Sequence, residues 1–304
     1  MEAKAAGEAA QAASAAAAEE SGQKAIAQSL DKLGQKLKTP GAGQAGAAPA
    51  GKSAAELAEE AAAKARKADE EARLKAEADA AAARRKAEEA ELAKKGRELQ
   101  EKMRAVNELV ERGRKSVDSG DFTSGEGLFA EAKGKLPEGE DRFAGQKLAE
   151  IADALYSGSK KNPGSEADEA LKQSIQTARE AKKKDASNPL PFYTLGKINA
   201  DLKQTDNAIT ELKEAARLDP KNYLYAYELG KAYFNARRYE DARQCFEAAS
   251  TLNPKFEPAF YNLGVTWKAL GDQDKALAAF RKAVQVKPDY GRGWQEIGKI
   301  QAAR

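Results

Sequence analysis

Gly46-Ala47-Ala48-Pro49-Ala50-Gly51-Lys52-Ser53 satisfies, letter for letter, the phosphate-cradling pattern in which glycines, a lysine and a hydroxyl hold a nucleotide and its magnesium. Its surroundings do not support that chemistry. Such a loop follows a buried strand, and Leu37-Lys38-Thr39-Pro40-Gly41 does not read as one. Ser53-Ala54-Ala55-Glu56 reads instead as a capping box, in which hydroxyl and carboxylate each satisfy an orphan backbone donor at a helix start. Gly293-x4-Gly298-Lys299 is a weaker echo of the same pattern without the hydroxyl.

The remaining chemistry-bearing residues are few. The chain has no histidine, which removes His-based triads, His general bases and His metal ligands together. No Gly-x-Ser-x-Gly elbow occurs. Acidic pairs are plentiful but alternate with Lys or Arg as solvated helix faces do, so a paired-carboxylate hydrolase is not favoured. Cys245, the single cysteine, cannot form an internal disulfide or a zinc knuckle; beside Phe246 it reads as a buried structural thiol. No catalytic, cofactor-binding or metal-binding residue is therefore expected, and the chain reads as a non-enzyme.

Charge and hydropathy point the same way. Lys and Arg number 51 against 48 Asp and Glu, a net charge of +3, which gives no footprint for nucleic acid. No apolar run approaches the ~18 residues of a membrane span. Met1-Glu2-Ala3-Lys4 opens no apolar signal core. The expectation is a cytoplasmic protein, with a periplasmic or envelope-associated one as the alternative if the sequence is part of a longer chain.

The elements that would position any site fall into two contrasting halves. Ala makes up about a third of the first 100 residues, and nearly all aromatic residues come later. Residues 1–52 read as a low-complexity segment. Its first 20 residues suit a frayed helix or disorder. Ile26, Leu30, Leu33 and Leu37, stepped by helical spacing, give a short amphipathic helix over 23–38, flanked by Lys24, Lys32, Lys36 and Lys38. It suits docking on its own protein, on a partner or on a membrane surface. Pro40, Gly41, Gly43, Gly46, Pro49 and Gly51 make 39–52 a linker. From Ser53 to about 105 a long, Ala-rich charged helix is expected, ~65 Å long over 53–95 at 1.5 Å per residue. Glu60/Lys64, Glu71/Lys75 and Glu91/Lys95 support it at i,i+4. It is either a solvated spacer, the preferred reading, or an Ala-seamed coiled coil.

The second half repeats. Gly196, Gly230, Gly264 and Gly298 are 34 residues apart. The same period relates Ala208, Ala242 and Ala276; Ala215, Ala249 and Ala283; and Pro220, Pro254 and Pro288. A fixed period of this length implies a supersecondary unit that stacks on its own copies. In residues 223–256, Leu229, Tyr233 and Phe234 give the first helix an apolar face, and Arg237-Arg238-Tyr239 the turn. Ala242, Phe246 and Ala249 face the second helix, and Pro254 stops it.

These motifs resemble the tetratricopeptide repeat (TPR) family, whose pattern is W-x2-L-G-x2-Y, A-x3-F and P. They read here as Phe192-x2-Leu195-Gly196, Ala208-x3-Leu212 and Pro220; as Leu229-Gly230-x2-Tyr233, Ala242-x3-Phe246 and Pro254; and as Phe260-x2-Leu263-Gly264-x2-Trp267, Ala276-x3-Phe280 and Pro288. Trp294-x2-Ile297-Gly298 opens a further unit. The resemblance implies an all-α fold, an α-solenoid of helix–turn–helix repeats over 106–304, preceded by the long helix and a disordered N-terminus. The units would be 106–139 and 140–188, both divergent, then 189–222, 223–256, 257–290 and a capping or partial repeat at 291–304. The span 140–188 exceeds the period by 15 residues. The excess is expected near Gly158–Ser165, as a long turn or a functional loop.

The resemblance also implies where a site would be. First helices of such units line a concave groove. Carried onto this chain, that geometry gives Tyr193, Tyr227 and Tyr261 as one ladder, and Lys197, Lys231 and Lys299 as a second interrupted by Val265. Thr194, Glu228, Asn262 and Glu296 form a third, with Phe234, Asn235 and Lys268 near the groove end. The tyrosines could equally be packing. Some family members clamp a terminal carboxylate; Lys231, Asn262 and Arg292 fall at matching places, but Tyr227 and Glu296 stand where basic residues are expected. The expected function is a protein–protein interaction scaffold whose groove takes a peptide of acidic and apolar character. The alternative is a structural or envelope-type adaptor that self-associates through residues 53–105 and presents the repeats.

Overall fold

The structure, a computed structural model, describes residues 53–303, which hold eleven helices and no strand. The amphipathic helix 23–38, the linker 39–52 and all but the last residue of the phosphate-loop pattern lie outside the described residues. The chain divides into two units, Met1–Lys95 and Gly96–Arg304.

In the first unit the described residues belong to α1 (Ala54–Asp118), which continues into the second. The capping box forms: Ser53 N–H donates to Glu56 Oε2 at 2.6 Å, and Glu56 N–H donates to Ser53 Oγ at 3.3 Å. Glu91 pairs with Lys95 at 3.6 Å, an exposed contact of small energetic weight. Leu57, Leu74 and Leu92 are all more than half exposed, and no apolar stripe gathers them.

In the second unit α1 does not stop near residue 105. It runs on to Asp118, because no proline interrupts it and its apolar residues become regular. Val106, Leu109, Val110 and Val117 are buried on it against Phe122 and Phe129 of α2 (Phe122–Gly134). α3 (Asp141–Lys161) and α4 (Ser165–Lys184) form the next pair. Here the expected long turn at Gly158–Ser165 is corrected. Gly158 and Ser159 are buried within α3, and only Asn162, Pro163 and Gly164 connect the helices. The extra residues lengthen both helices, to 21 and 20 residues.

Three regular pairs follow: α5 (Leu190–Asp201) with α6 (Thr205–Leu218), α7 (Tyr223–Asn235) with α8 (Tyr239–Leu252), and α9 (Glu257–Ala269) with α10 (Gln273–Val286). α11 (Gly291–Ala302) closes the set. Their ends are encoded locally. Asn222 and Asp272 side chains accept from Leu224 N–H and Lys275 N–H at 3.1 and 2.9 Å. Asp219, Asn253 and Lys287, each preceding a proline, have φ near −130° and leave the helix, as the proline ring demands.

The repeated columns build the packing. Ala208, Ala242, Ala276, Ala215, Ala249 and Ala283 are fully buried. A Cβ on Gly196, Gly230 or Gly264 would stand 2.5, 2.8 or 2.7 Å from the side chain of Leu212, Phe246 or Phe280. Each glycine is thus the hole for a knob 16 residues later, and Gly113 meets Phe129 in the same way. Phe246 and Phe280 are 1% and 0% exposed, so each burial contributes about 2 kcal/mol. First helices of successive units touch one another, α5 with α7 and α7 with α9, which puts them on one continuous face. The result is an all-α solenoid of helical repeats.

Candidate functional site

The site is built on the first helices. Tyr227, Lys231, Phe234 and Asn235 follow one another along α7 at i, i+4, i+7 and i+8, so they share a face. Tyr261 and Asn262 bring the same face of α9, and Arg292 the first turn of α11. These seven residues, with Phe246, Pro258 and Tyr290, line a depression of about 350 Å³.

Its floor is aromatic. Tyr227 meets Phe246 at 5.8 Å and Phe256 at 4.9 Å between ring centroids. One period later Tyr261 meets Phe280 at 5.5 Å and Tyr290 at 5.4 Å. The tyrosines therefore pack on the core and present a surface at once. Phe246, Pro258 and Tyr290 were not expected at the site. The signal for Tyr290 was the aromatic column Phe256/Tyr290, which the glycine, alanine and proline columns overshadowed.

Its polar groups are mainly donors. Asn262 Nδ2 donates to Tyr227 Oη at 2.9 Å, which leaves the Tyr227 hydroxyl proton for another acceptor. Burial and then the nearby Glu228 carboxylate push the Tyr227 phenol up to about 12, so it stays protonated. Lys231 is 2.8 Å from Glu228, one turn away and outside the lining of the depression. Arg292 is exposed and makes no ion pair among the described residues. An apolar floor under an amide, a phenol proton, an ammonium and a guanidinium suits a ligand with an apolar body and carboxylate groups.

The other expected residues lie elsewhere. Tyr193 packs against Tyr225 with the rings tilted and their centroids 4.9 Å apart, and Lys197 lies over the rings of Tyr156 and Tyr193 at 4.7 and 5.0 Å. Lys268 and Lys299 both bind Glu296, the latter at 2.7 Å, so they serve a buried carboxylate. Hydrogen bonds from Lys268 and then Lys299 hold the Glu296 carboxyl below its usual range. Two members of the expected polar ladder are corrected: Thr194 is fully buried and Glu296 is 8% exposed, so neither offers a surface. Among the described residues no cluster of potential metal ligands occurs, and no helix is long and apolar enough to cross a membrane.

Comparison with known proteins agrees with the columns. A tetratricopeptide repeat family model matches residues 193–255 and 227–291. No curated protein matches the chain. Similar solved structures include MamA, at 29% identity over 45% of this chain and 80% of that one, with a TM-score of 0.43. YrrB, described as a TPR protein with an unusual peptide-binding site, is similar at 19% identity over 62% of this chain and 89% of that one, with a TM-score of 0.47. The first TPR of Spaghetti (RPAP3), bound to the HSP90 peptide SRMEEVD, is similar at 22% identity over 39% and 94%, with a TM-score of 0.38. The glycine–knob contacts, the buried alanine columns and the family match coincide over the same stretch: residues 193–291 of this chain are tetratricopeptide repeats.

Proposed function

We propose that the protein is a non-enzymatic interaction scaffold that binds a peptide segment of acidic and apolar character in the depression between α7, α9 and α11. The observation that carries the reading is the depression itself, with its aromatic floor and donor-bearing rim. Tyrosine there offers an apolar face and a protonated hydroxyl, and Arg292 supplies a charge without an ion-pair partner among the described residues. The absence of histidine and the pairing of many carboxylates with Lys or Arg fit a surface better than a reaction centre.

A random-peptide display selection on the full chain tests this, with an Arg292→Glu chain as the counter-selection. The expected result is enrichment of peptides pairing Asp or Glu with large apolar residues on the unaltered chain only. Enrichment of basic peptides, or equal enrichment on both chains, would overturn the reading.

A further inference from the structure

α3 touches α5 and so extends the continuous face of α5, α7 and α9, and one carboxylate on it has no cation. Asp153 of α3 is half-buried and forms no ion pair among the described residues. It receives one long hydrogen bond, from Thr194 Oγ1 of α5 at 3.5 Å. The carboxylates around it are already engaged. Asp201 accepts from Tyr156 Oη at 2.8 Å and pairs with Lys160 at 3.0 Å, and Glu228 pairs with Lys231. Lys197 does not neutralise Asp153 either; its ammonium lies over the faces of Tyr156 and Tyr193. Two tyrosines stand in the Asp153 field. Tyr193 of α5 and Tyr225 of α7 pack ring against ring, and neither hydroxyl has a hydrogen-bond partner among the described residues, although Tyr225 is only 7% exposed. Neither hydroxyl is sealed from solvent. Burial, then the Glu228 and Asp153 carboxylates, push the Tyr193 phenol up, and burial, then Asp219 and Asp153, do the same to Tyr225, so both stay protonated. A nearly buried ring with an unpaired hydroxyl at the surface is an unfilled hydrogen-bonding position.

We propose that Asp153, Tyr193 and Tyr225 form a second subsite on this face, which takes a lysine or arginine side chain of the peptide bound between α7, α9 and α11. The carboxylate accepts a charge-assisted hydrogen bond from the cation, and the two phenol oxygens accept its remaining N–H groups. The face then has two ends of opposite character, acceptors between α3, α5 and α7 and donors between α7, α9 and α11. Opposite charges at the two ends fix which way round the peptide lies. From α5 to α9 is two helix spacings, ~20 Å in all. An extended chain covers that length in about six residues at ~3.3 Å each, so the basic residue stands about six positions from the acidic and apolar group. The inference rests on the peptide reading only in assigning both subsites to one peptide.

The probe is a random dodecamer phage library, long enough at ~3.3 Å per residue to span both subsites, selected in parallel on the unaltered full chain, Asp153→Asn and Tyr225→Phe. Asparagine keeps an acceptor for Thr194, and Tyr225→Phe removes a hydroxyl that has no partner within the described residues, so the circular dichroism of both should match the unaltered chain. The expected result on the unaltered chain is dodecamers that carry Lys or Arg at a fixed distance from the acidic and apolar residues, and on Asp153→Asn the same acidic and apolar residues with the basic position lost. By fluorescence anisotropy the most enriched dodecamer should bind Asp153→Asn at least about tenfold more weakly and Tyr225→Phe about threefold more weakly. Acidic and apolar enrichment with no fixed basic position overturns the subsite and leaves the depression intact, as does a basic position that survives Asp153→Asn. Affinity indifferent to either substitution likewise overturns it. A fixed basic position that Asp153→Asn erases, without acidic and apolar companions, supports the subsite and overturns the depression instead.

Discussion

Alanine at Gly230 and alanine at Gly298 are one substitution made twice in the same column, and the structure gives them different outcomes. Both glycines lie inside helices, where alanine contributes about 1 kcal/mol of helix stability over glycine. At Gly298 nothing opposes that gain, so Gly298→Ala should stabilise the array by about 1 kcal/mol. At Gly230 the new Cβ would stand 2.8 and 2.9 Å from Cε1 and Cδ1 of Phe246. Carbon atoms prefer about 3.5–4.0 Å, so the ring must retreat by most of an ångström. Phe246 is 1% exposed and its ring abuts Tyr227, so the retreat costs about 1–3 kcal/mol of overpacking. The helix gain is common to both variants, so their difference isolates this strain at about 1–3 kcal/mol. Trp267 and Trp294 both lie in the array, so tryptophan fluorescence during urea unfolding reports on it directly. Gly298→Ala should move the midpoint upward and Gly230→Ala should fall below it. Equal shifts in the two variants would refute the glycine-as-hole reasoning.

Three further outcomes follow from particular groups. Gly271 and Arg237 hold the same left-handed turn position, at φ 87° and 59°; Gly271→Ala should lose about 1 kcal/mol and Arg237→Gly gain about 0.5 kcal/mol, read as shifts in Tm. Glu296 has a depressed carboxyl, so its contribution is fully present above the unfolded-state pKa and is lost as pH falls through the lower folded one. Glu296→Gln should therefore cost about 1 kcal/mol at neutral pH and flatten the acid limb of a urea-midpoint profile. Burial pushes the Cys245 thiol up to about 11, so iodoacetamide at pH 8 should label the native chain roughly a hundredfold more slowly than the urea-unfolded one; equal rates would show an accessible, reactive thiol.

Much of the architecture was legible because it is periodic. Gly196, Gly230 and Gly264 are glycine for one steric reason repeated three times, and a repeated reason leaves a column in the sequence. The capping box at Ser53 was legible because it closes within four residues. What periodicity did not carry was where residues differ between units. The 15 extra residues of the second pair entered as added helical turns in α3 and α4, since Ala, Leu, Lys and Glu there extend a helix as readily as they decorate a loop. Thr194 and Glu296 share a column with Glu228 and Asn262, yet local partners bury them: Asp153 stands 3.5 Å from Thr194, and two lysines cover Glu296. The depression needed Tyr290, contributed from the turn before α11, which no reading of first-helix faces alone includes.

The central claim is that the depression between α7, α9 and α11 holds a peptide with acidic and apolar side chains. Isothermal titration of a display-selected peptide into the unaltered chain, Arg292→Glu and Lys213→Glu tests it most directly. Lys213 is an exposed cation on the second helix α6, away from the depression. The prediction is a Kd at least about tenfold weaker for Arg292→Glu, about 1.4 kcal/mol, with Lys213→Glu unchanged. Equal weakening by both substitutions, or by neither, would contradict the account.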